Sequence, residues 1–521
     1  MRRGVVMKTR IPVLIVGAGV GGLATSALLA QQGVRSLLVE KRREVFIYPK
    51  ARNLSFRSLE ILRGLGLSDQ VHAVGDHVST MMVRPALNST EERVALDVNA
   101  IFANLDGLSP EPAAQYCPQS RLEPILLADT RGRGGEVRYA TELSSFDLDD
   151  EGVTAVVRDR DSGDVETVRA EYLVAADGVH SPVRNRLGIG TSGYGAIPMY
   201  FVFIYFRAPW HRFVANLADG DGVQVKNDDV DGIFLVVDDD LGMFITAYFP
   251  SAGETADQFT ADRCRDLLTK AFGEPIDIDV IEVAAWQPYE QVAEEFRCGR
   301  AFLVGDSAHT MPPFKAGGAN TALQSAHNLA WKIAAVLHGT AGPALLDTYH
   351  VERHAVGRFA AHQSLTGPSL ALLAPSGDGP RLPAEEECSM FELLIGYRYR
   401  STAVVSADAD DSLLVPELNA QPGTRLPHAW VRPGVSTLDI LGRPGFTLVT
   451  GNERWRAAAA KVAAGLGVPL ATACAADAIP GLAADAALLV RPDDFVGWRS
   501  DAMPAEPEKE LQEALSAILG R

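Results

Sequence analysis

Cysteine is scarce in this 521-residue chain: Cys117, Cys264, Cys298, Cys388 and Cys474 are scattered, with no C-x-x-C pair. That spacing supports neither a disulfide framework nor a cysteine zinc site, and it fits reduced thiols in a cytoplasmic protein. Positive charge is short as well. The 48 Lys and Arg stand against 66 Asp and Glu, a net charge of −18, with no basic stripe. Phosphate backbones need clustered cations, so no nucleic-acid partner is expected. No apolar run reaches the ~18 residues that cross a bilayer, so no membrane span is expected. The nearest approach to a targeting signal is Arg2, Arg3, Lys8 and Arg10 before the apolar run from Ile11. Glycines inside that run favour a buried strand turning into a helix over an export signal.

What is present is globular: 47% hydrophobic and 22% charged residues, in a chain long enough for two or three domains. Val13–Val16 reads as an apolar strand. Gly17-Ala18-Gly19-Val20-Gly21-Gly22 follows with the G-x-G-x-x-G pattern, then a helix over Leu23–Gln32 and a second strand, Val34–Val39, ending in Glu40. The first glycine permits the tight turn, the second lets backbone approach a pyrophosphate, and the third allows close helix–strand packing. The acid about twenty residues on accepts from ribose hydroxyls. Gly188-Ile-Gly-Thr-Ser-Gly193 also matches the pattern, but it follows a short helical segment and runs through Tyr194 into a loop, so one dinucleotide fingerprint is expected.

A second stretch, Gly299 to Gln324, has the same logic. A strand over Ala301–Val304 ends at Gly305-Asp306, then Pro312-Pro313 and Gly317-Gly318 lead into a helix from Asn320 through Trp331. Helix N-termini offer free N–H groups and favour negative charge. Tyr172–Ala176 is a buried strand ending in Asp177-Gly178. Helices are expected over Ser55–Leu65, from Gln119, and over Leu345–Ser364; residues 365–385, rich in Pro and Gly, read as a linker.

Period-2 strands over Met199–Phe206, Gly222–Val225, Gly232–Val237 and Gly242–Phe249 form a sheet inserted into the first domain. Within it, Asn227-Asp-Asp229-Val-Asp231-Gly232 imitates half a calcium loop. Strands flank it and Asp238 stands where Glu is expected, so a hairpin turn is predicted and no metal. From Ser401 a third unit follows, with strands Phe446–Thr450 and Ala487–Val490 and helices Trp455–Ala464 and Glu508–Leu519.

The combination resembles the class A FAD-dependent aromatic monooxygenases of the para-hydroxybenzoate hydroxylase fold, in their aromatic polyketide hydroxylase branch. Three motifs carry the match: Gly17-x-Gly19-x-x-Gly22 with Glu40; Asp177-Gly178; and Gly305-Asp306-Ser-Ala-His309 with Pro312-Pro313 and Asn320. Gln119-x-x-x-Glu123, Asn328-Leu-Ala-Trp-Lys332, Asp347-Thr-Tyr-x-x-Glu-Arg353, Gly396-Tyr-Arg-Tyr-Arg-Ser401, Ser436-Thr-Leu-Asp439 and Val490-Arg-Pro-Asp493 support it, so the likeness spans nearly the whole chain. The fold implied is α/β, a single Rossmann-like FAD-binding domain with an inserted β-sheet substrate domain and a C-terminal thioredoxin-like domain without C-x-x-C. FAD-binding parts are expected at 1–75, 116–190 and 287–400, substrate-domain parts at 76–115 and 191–286, and the thioredoxin-like domain at 401–521.

The resemblance implies FAD as cofactor and NADPH, or NADH, as co-substrate. Gly17, Gly19, Val20, Gly21 and Gly22 would meet the pyrophosphate, Glu40 the ribose and Asp306 the ribityl chain. Pro313, Gly317, Gly318, Ala319 and Asn320 would face the flavin N1–C2 edge, where negative charge develops on reduction. Lys41, Arg52, Gln119 and Leu143 are implied as further cofactor contacts. Asp177 is implied in FAD and NADPH binding, or else caps the helix that follows it. Tyr200, Phe203, Tyr205, Phe234 and Tyr248 would line the substrate, or fill ordinary sheet core.

The activity implied is hydroxylation of a fused phenolic aromatic by a flavin C4a-hydroperoxide formed from O2. A Baeyer–Villiger oxygenase on the same fold, or a flavin-binding partner protein without turnover, are the alternatives; a halogenase is disfavoured because no Trp-x-Trp-x-Ile-Pro occurs. The catalytic residue is left unknown, with Lys315, Tyr205, Tyr289, His211 and Arg207 as guesses. A monomer or homodimer is expected. One pair departs from the family pattern: Lys315-Ala316 stands where glycines are usual, and Ser325 replaces a usual Asp. Lys315 either points to solvent or lies near flavin or substrate to stabilise an anion.

Overall fold

Val13, Leu14 and Ile15 show no polar alternation because both faces of their strand are covered. In the computed structural model, β1 (Val6–Val16) runs into α1 (Val20–Gln31) and is flanked by two parallel neighbours, β2 (Ser36–Val39) and β3 (Val165–Ala175). The structure describes residues 6–45, 51–76, 80–97, 102–215, 217, 221–236, 240–315, 317–366, 387–408 and 410–521. Ala301–Leu303 extends the sheet beside β3 and Glu136–Arg138 beside β2, both parallel, so the ends of β1, β2, β3 and Ala301–Leu303 lie along one edge. The three loops carrying Gly17–Gly22, Asp177-Gly178 and Gly305-Asp306 therefore converge, as ligand loops do at the carboxyl ends of open parallel sheets.

The inserted sheet has seven strands in the order Asp279–Trp286, β4 (Tyr200–Arg207), Leu241–Tyr248, Asp231–Val236, Gly222–Lys226, Thr80–Arg84 and Arg93–Asp97. Side chains alternate across a strand, so β4 has two distinct faces. Val202, Ile204 and Phe206 pack with Phe234, Phe244 and Trp210 against α2 (Ala261–Phe272). Phe201, Phe203 and Tyr205 point the other way. Asn227 turns the next hairpin by accepting from Asp229 N and Val230 N, 2.8 Å each, as predicted; Asp238 lies outside the described residues.

The long helix α3 (Gly317–Leu337) packs along α1 and α4 (Asp347–Gln363). It starts at Gly317, earlier than the predicted Asn320. Thr191–Ala196, read as a loop, is a strand paired with Tyr289–Ala293; it still lacks the strand–turn–helix context of a dinucleotide loop. The C-terminal sheet runs Leu470–Ala473, Phe446–Thr450, Ala487–Val490 and Val496–Ser500, with helices Glu453–Leu466 and Pro507–Ile518 packed together against it. Its first and last strands in that order, mostly small or polar residues, were missed in the sequence. Trp331 of α3 enters this core and joins it to the first domain. The linker read over 365–385 lies almost wholly outside the described residues.

A buried lattice of charge holds the C-terminal turn Arg491-Pro492-Asp493-Asp494 to the first domain. Glu352 of α4 receives Arg491 Nη1 and Nη2 at 2.7 and 2.8 Å, Lys332 Nζ at 2.7 Å, Asn328 Nδ2 at 2.7 Å and Ser401 Oγ at 2.6 Å. Arg57 bridges Glu60 and Asp494 at 3.0 Å each, and Arg443 also pairs with Asp494. These ions survive burial because each is paired and hydrogen-bonded.

Two buried imidazoles accompany the lattice. Burial pushes His309 down to about 3 and His327 down to about 4. Both are neutral in the folded chain but take up a proton near 6.5 when unfolded. The unfolded state then binds more protons, so stability is present above ~6.5 and falls as pH drops towards 4 and 3. At pH 5 each histidine is expected to cost about 2 kcal/mol relative to neutral pH. Urea denaturation should show a lower midpoint at pH 5 than at pH 7.5; equal midpoints would contradict neutral burial of both rings.

Candidate active site

The turn after β1 is shaped by close backbone contact. Gly17 has φ +104°, and a Cβ there would lie 2.2 Å from Ala176 O; a Cβ on Gly22 would lie 1.9 Å from Gly17 O. Both glycines are needed for the chain to close on itself. Gly19 differs: its Cβ would meet only Glu123 Oε1, at 3.9 Å. It is the N-cap of α1 and supplies no side-chain cap, so no side chain of its own takes up the first N–H groups of that helix. Val20 and Gly21 are buried in its first turn. Ala18 N donates to Glu40 Oε2 (2.8 Å), and Arg42 N and Nε donate to Glu40 Oε1 (2.8 and 3.0 Å). Burial pushes the Glu40 carboxyl up, but these donors outweigh it and hold it below its ordinary value, so it stays an acceptor.

Asp306 is exposed within an otherwise buried run from Ala301 to His309, which places an acid at the cleft. Ser307 fixes the turn beneath it, its hydroxyl donating to Ala175 O (2.6 Å). The start of α3 is likewise open, with nothing within 4 Å of a Cβ on Gly318. Asn320 is used internally: its Oδ1 accepts from Ser55 N (2.9 Å) and Ser58 Oγ (2.5 Å), and its Nδ2 donates to Asn53 O (3.1 Å). Its side chain thus ties residues 53–58 to the helix and leaves backbone for a ligand. Pro313 is exposed in the turn before the helix, and Ala319 lies half-buried in its first turn. Gln119 opens the helix Gln119–Gly132 and donates to Glu123. Arg52 has a buried Nη1 with no hydrogen-bond partner among the described residues, a cation awaiting an acceptor. Lys41 is exposed, and Leu143 lies half-buried in its strand against the main core.

Asp177 accepts from the start of the helix that follows it, whose N-cap is Ser181. Its Oδ1 accepts from Ser181 Oγ (2.6 Å) and its Oδ2 from Val183 N (3.0 Å), while burial raises its carboxyl. Arg184, missed in the sequence, joins this loop to the Asp306 turn by donating to Val179 O (2.8 Å) and Ser307 O (2.9 Å).

Sheet parity divides the expected substrate set between two faces. Tyr200, Phe234 and Tyr248 lie on the α2 side, where Tyr200 meets Tyr248 and Phe234 meets Phe244. They are core. Phe203 and Tyr205 share the opposite face with Phe201 and with Trp286, which sequence reading overlooked. Phe203 and Trp286 stack with centroids 5.5 Å apart, both partly exposed. Leu365, at the end of α4, packs on Phe201 and so brings this wall beside the loop before α3. Arg207 and His211 are exposed at the other end of the strand, away from that junction, and Tyr289 rests edge-on against His180. Ser325 accepts from Arg353 Nε (3.1 Å) and meets His309 Nε2 (3.2 Å), a buried contact. Lys315 does not point to solvent. Its side chain is 7% exposed and pairs with Glu387; Ala316 lies outside the described residues.

This arrangement defines a class: a protein with one dinucleotide-type glycine turn at the edge of a parallel sheet and a second sheet with a partly exposed aromatic face. Residues 10–364 match the FAD binding domain family, and residues 419–521 the aromatic-ring hydroxylase C-terminal family. The chain is 38% identical to tetracenomycin B2 monooxygenase-dioxygenase of Streptomyces olivaceus, over 99% of each chain. It is 35% identical to aklavinone 12-hydroxylase of Streptomyces purpurascens, over 98% of this chain and 99% of that one. A solved ternary complex of aklavinone-11 hydroxylase with FAD and aklavinone matches with a TM-score of 0.87 at 33% identity, covering 99% of this chain and all of that one. The chain belongs to the FAD-dependent aromatic-ring hydroxylases and is a flavoprotein monooxygenase. The open positions at Gly19 and Gly318, the orphan Arg52 Nη1 and the exposed Asp306 fit FAD. Among the described residues, no helix is long and apolar enough to cross a membrane, and no cluster of metal-ligand type occurs.

Proposed function

We propose that this chain uses NAD(P)H and O2 to hydroxylate a fused, phenolic, polyketide-type aromatic. Bound FAD supplies the chemistry that passes two electrons from the nicotinamide to O2, one oxygen atom entering the ring and the other leaving as water. The chain's part is to bind, orient and exclude water. The α1 N-terminus and Gly19 would take the pyrophosphate, Glu40 the adenosine ribose, and Asp306 the ribityl hydroxyls. Arg52 Nη1 would donate to the cofactor. The N–H groups at Gly317, Gly318 and Ala319 would stabilise negative charge at the ring edge, where the helix dipole adds to them.

The observation that carries the substrate reading is the Phe203–Trp286 stack, half-open on the sheet face that adjoins the loop before α3. Offset aromatic stacking and apolar burial favour a flat polycyclic ring there. The relatives' names support a polyketide-type substrate. The test is to purify the protein, read its flavin spectrum and follow NADPH and NADH oxidation with polycyclic phenols. Bound flavin and substrate-stimulated oxidation are expected, with NMR of the product showing a new ring hydroxyl. An inserted ring oxygen would favour the Baeyer–Villiger alternative, and oxidation indifferent to every phenol would overturn the substrate reading.

A further inference from the structure

We propose that Lys315 is a positioning residue, a brace that fixes the loop facing the cofactor against the aromatic wall that faces the substrate. The inference rests on the function proposed above. Its basis is a knot of three chain segments. Lys315 Nζ donates to Thr366 Oγ1 (3.0 Å) and pairs with Glu387 Oε1 (2.9 Å). The Thr366 hydroxyl spends its own proton on Gln363 O (2.8 Å), so towards Lys315 it can only accept. Gln363 Oε1 in turn accepts from Cys388 N (3.0 Å), 25 positions along the chain. One ammonium therefore gathers the loop before α3, the end of α4 and the segment at Glu387–Cys388.

The knot touches both halves of the site. On one side, Lys315 ends the turn Pro313–Lys315, and Gly317 starts α3. There the chain is tight: a Cβ on Gly317 would lie 2.5 Å from Met311 Sδ. On the other side, Leu365 is the chain neighbour of Thr366. It is buried against Ile197, Met199 and Phe201, and the Phe201 ring lies 5.6 Å from Trp286. The path from the ammonium to the stacked Phe203–Trp286 pair thus runs through a hydrogen bond to Thr366, one step along the backbone to Leu365, and the apolar cluster around Phe201. A buried ammonium that lost Glu387 would be costly, so the pair holds its place. Reacting centres misplaced by about 1 Å can lose up to about a hundredfold in rate, so a brace of this kind acts on turnover more than on affinity.

The test compares Lys315→Met, Lys315→Arg and Glu387→Gln with the native protein. Hydrogen exchange in flavin-free protein reads the knot without turnover. In Lys315→Met, the Cys388 N–H and the amides of Thr321–Gln324, the first in α3 with acceptors inside the helix, should exchange about tenfold faster. In flavin-loaded protein, Lys315→Met and Glu387→Gln should each lower kcat and the product formed per NADPH consumed about tenfold, with KM for the phenol changed less than threefold. Lys315→Arg, which keeps the donor and the charge, should recover most of both. Native exchange and native product yield in all three variants would overturn the brace. So would a loss of kcat at Lys315→Met with Glu387→Gln unaffected, which would mean that the charge acts directly on the cofactor. A native protein that binds no flavin would instead sink the proposed function, a result readable apart from the exchange data.

Discussion

Replacement of Glu352 by glutamine is expected to lower the stability of the folded chain by about 3–5 kcal/mol, the range for breaking a buried ion pair from one side. Glu352 is fully buried and accepts from two cations and two neutral donors. Burial alone would raise its carboxyl; Arg491 and Lys332 outweigh that and hold it well below the ordinary carboxylate range. Glutamine fills the same space but carries no charge and turns one acceptor into a donor, which leaves Arg491 and Lys332 to share Asp493 nearby. The exposed pair Arg499–Asp501 is a control, and Asp501→Asn should cost about 1 kcal/mol or less. Because Glu352 meets Arg491 across the join to the C-terminal sheet, the variant should also lose cooperativity, the C-terminal part unfolding first. The Trp331 ring, with the Arg491 guanidinium 5.2 Å from its centroid, reports that step by fluorescence in urea. A loss below about 1 kcal/mol with one sharp transition would show that the lattice does not hold the domains together.

What the sequence made legible is what is local. The strand, glycine turn, helix and acid of residues 13–40 are fixed by short-range sterics, and the spacing alone gives each glycine its role. The charge lattice was present only as scattered motif fragments. Asn328, Lys332, Glu352, Arg491 and Asp493 all appeared in the stretches that support the family resemblance, but Arg491 and Glu352 stand 139 positions apart. Nothing in spacing says that they meet. The aromatic wall was an intermediate case. Alternation along β4 was readable, yet Tyr200 was grouped with Phe203 and Tyr205, which mixes the two faces of one strand. Choosing between the faces needed α2, whose Phe272 claims Phe206 and Phe234 for the core. Lys315 was the least legible. The general rule sends lysines to water, and only contacts with Thr366 and Glu387 take this one out of it.

The glycine turn yields the sharpest separation of fold from function. Gly22→Ala is expected to destabilise the flavin-free protein by about 1–3 kcal/mol or more, because the new methyl meets Gly17 O at 1.9 Å and neither backbone can yield without opening the turn. Gly17→Ala should do the same, with the strain of φ +104° added to a 2.2 Å contact on Ala176 O. Gly19→Ala should not. Its backbone is extended, at φ −79° and ψ −178°, and its methyl would point into open space. In the flavin-free protein the change should cost about 1 kcal/mol or less, the difference between glycine and alanine at an N-cap. That same methyl would stand where a pyrophosphate must approach the first N–H groups of α1, so FAD affinity should fall about a hundredfold, or about 2.7 kcal/mol. Urea denaturation of flavin-free protein and titration of flavin fluorescence measure the two effects separately. Loss of stability and affinity together at Gly19 would mean that the position is structural like its neighbours. Native affinity in Gly19→Ala would mean that the dinucleotide does not lie across this turn.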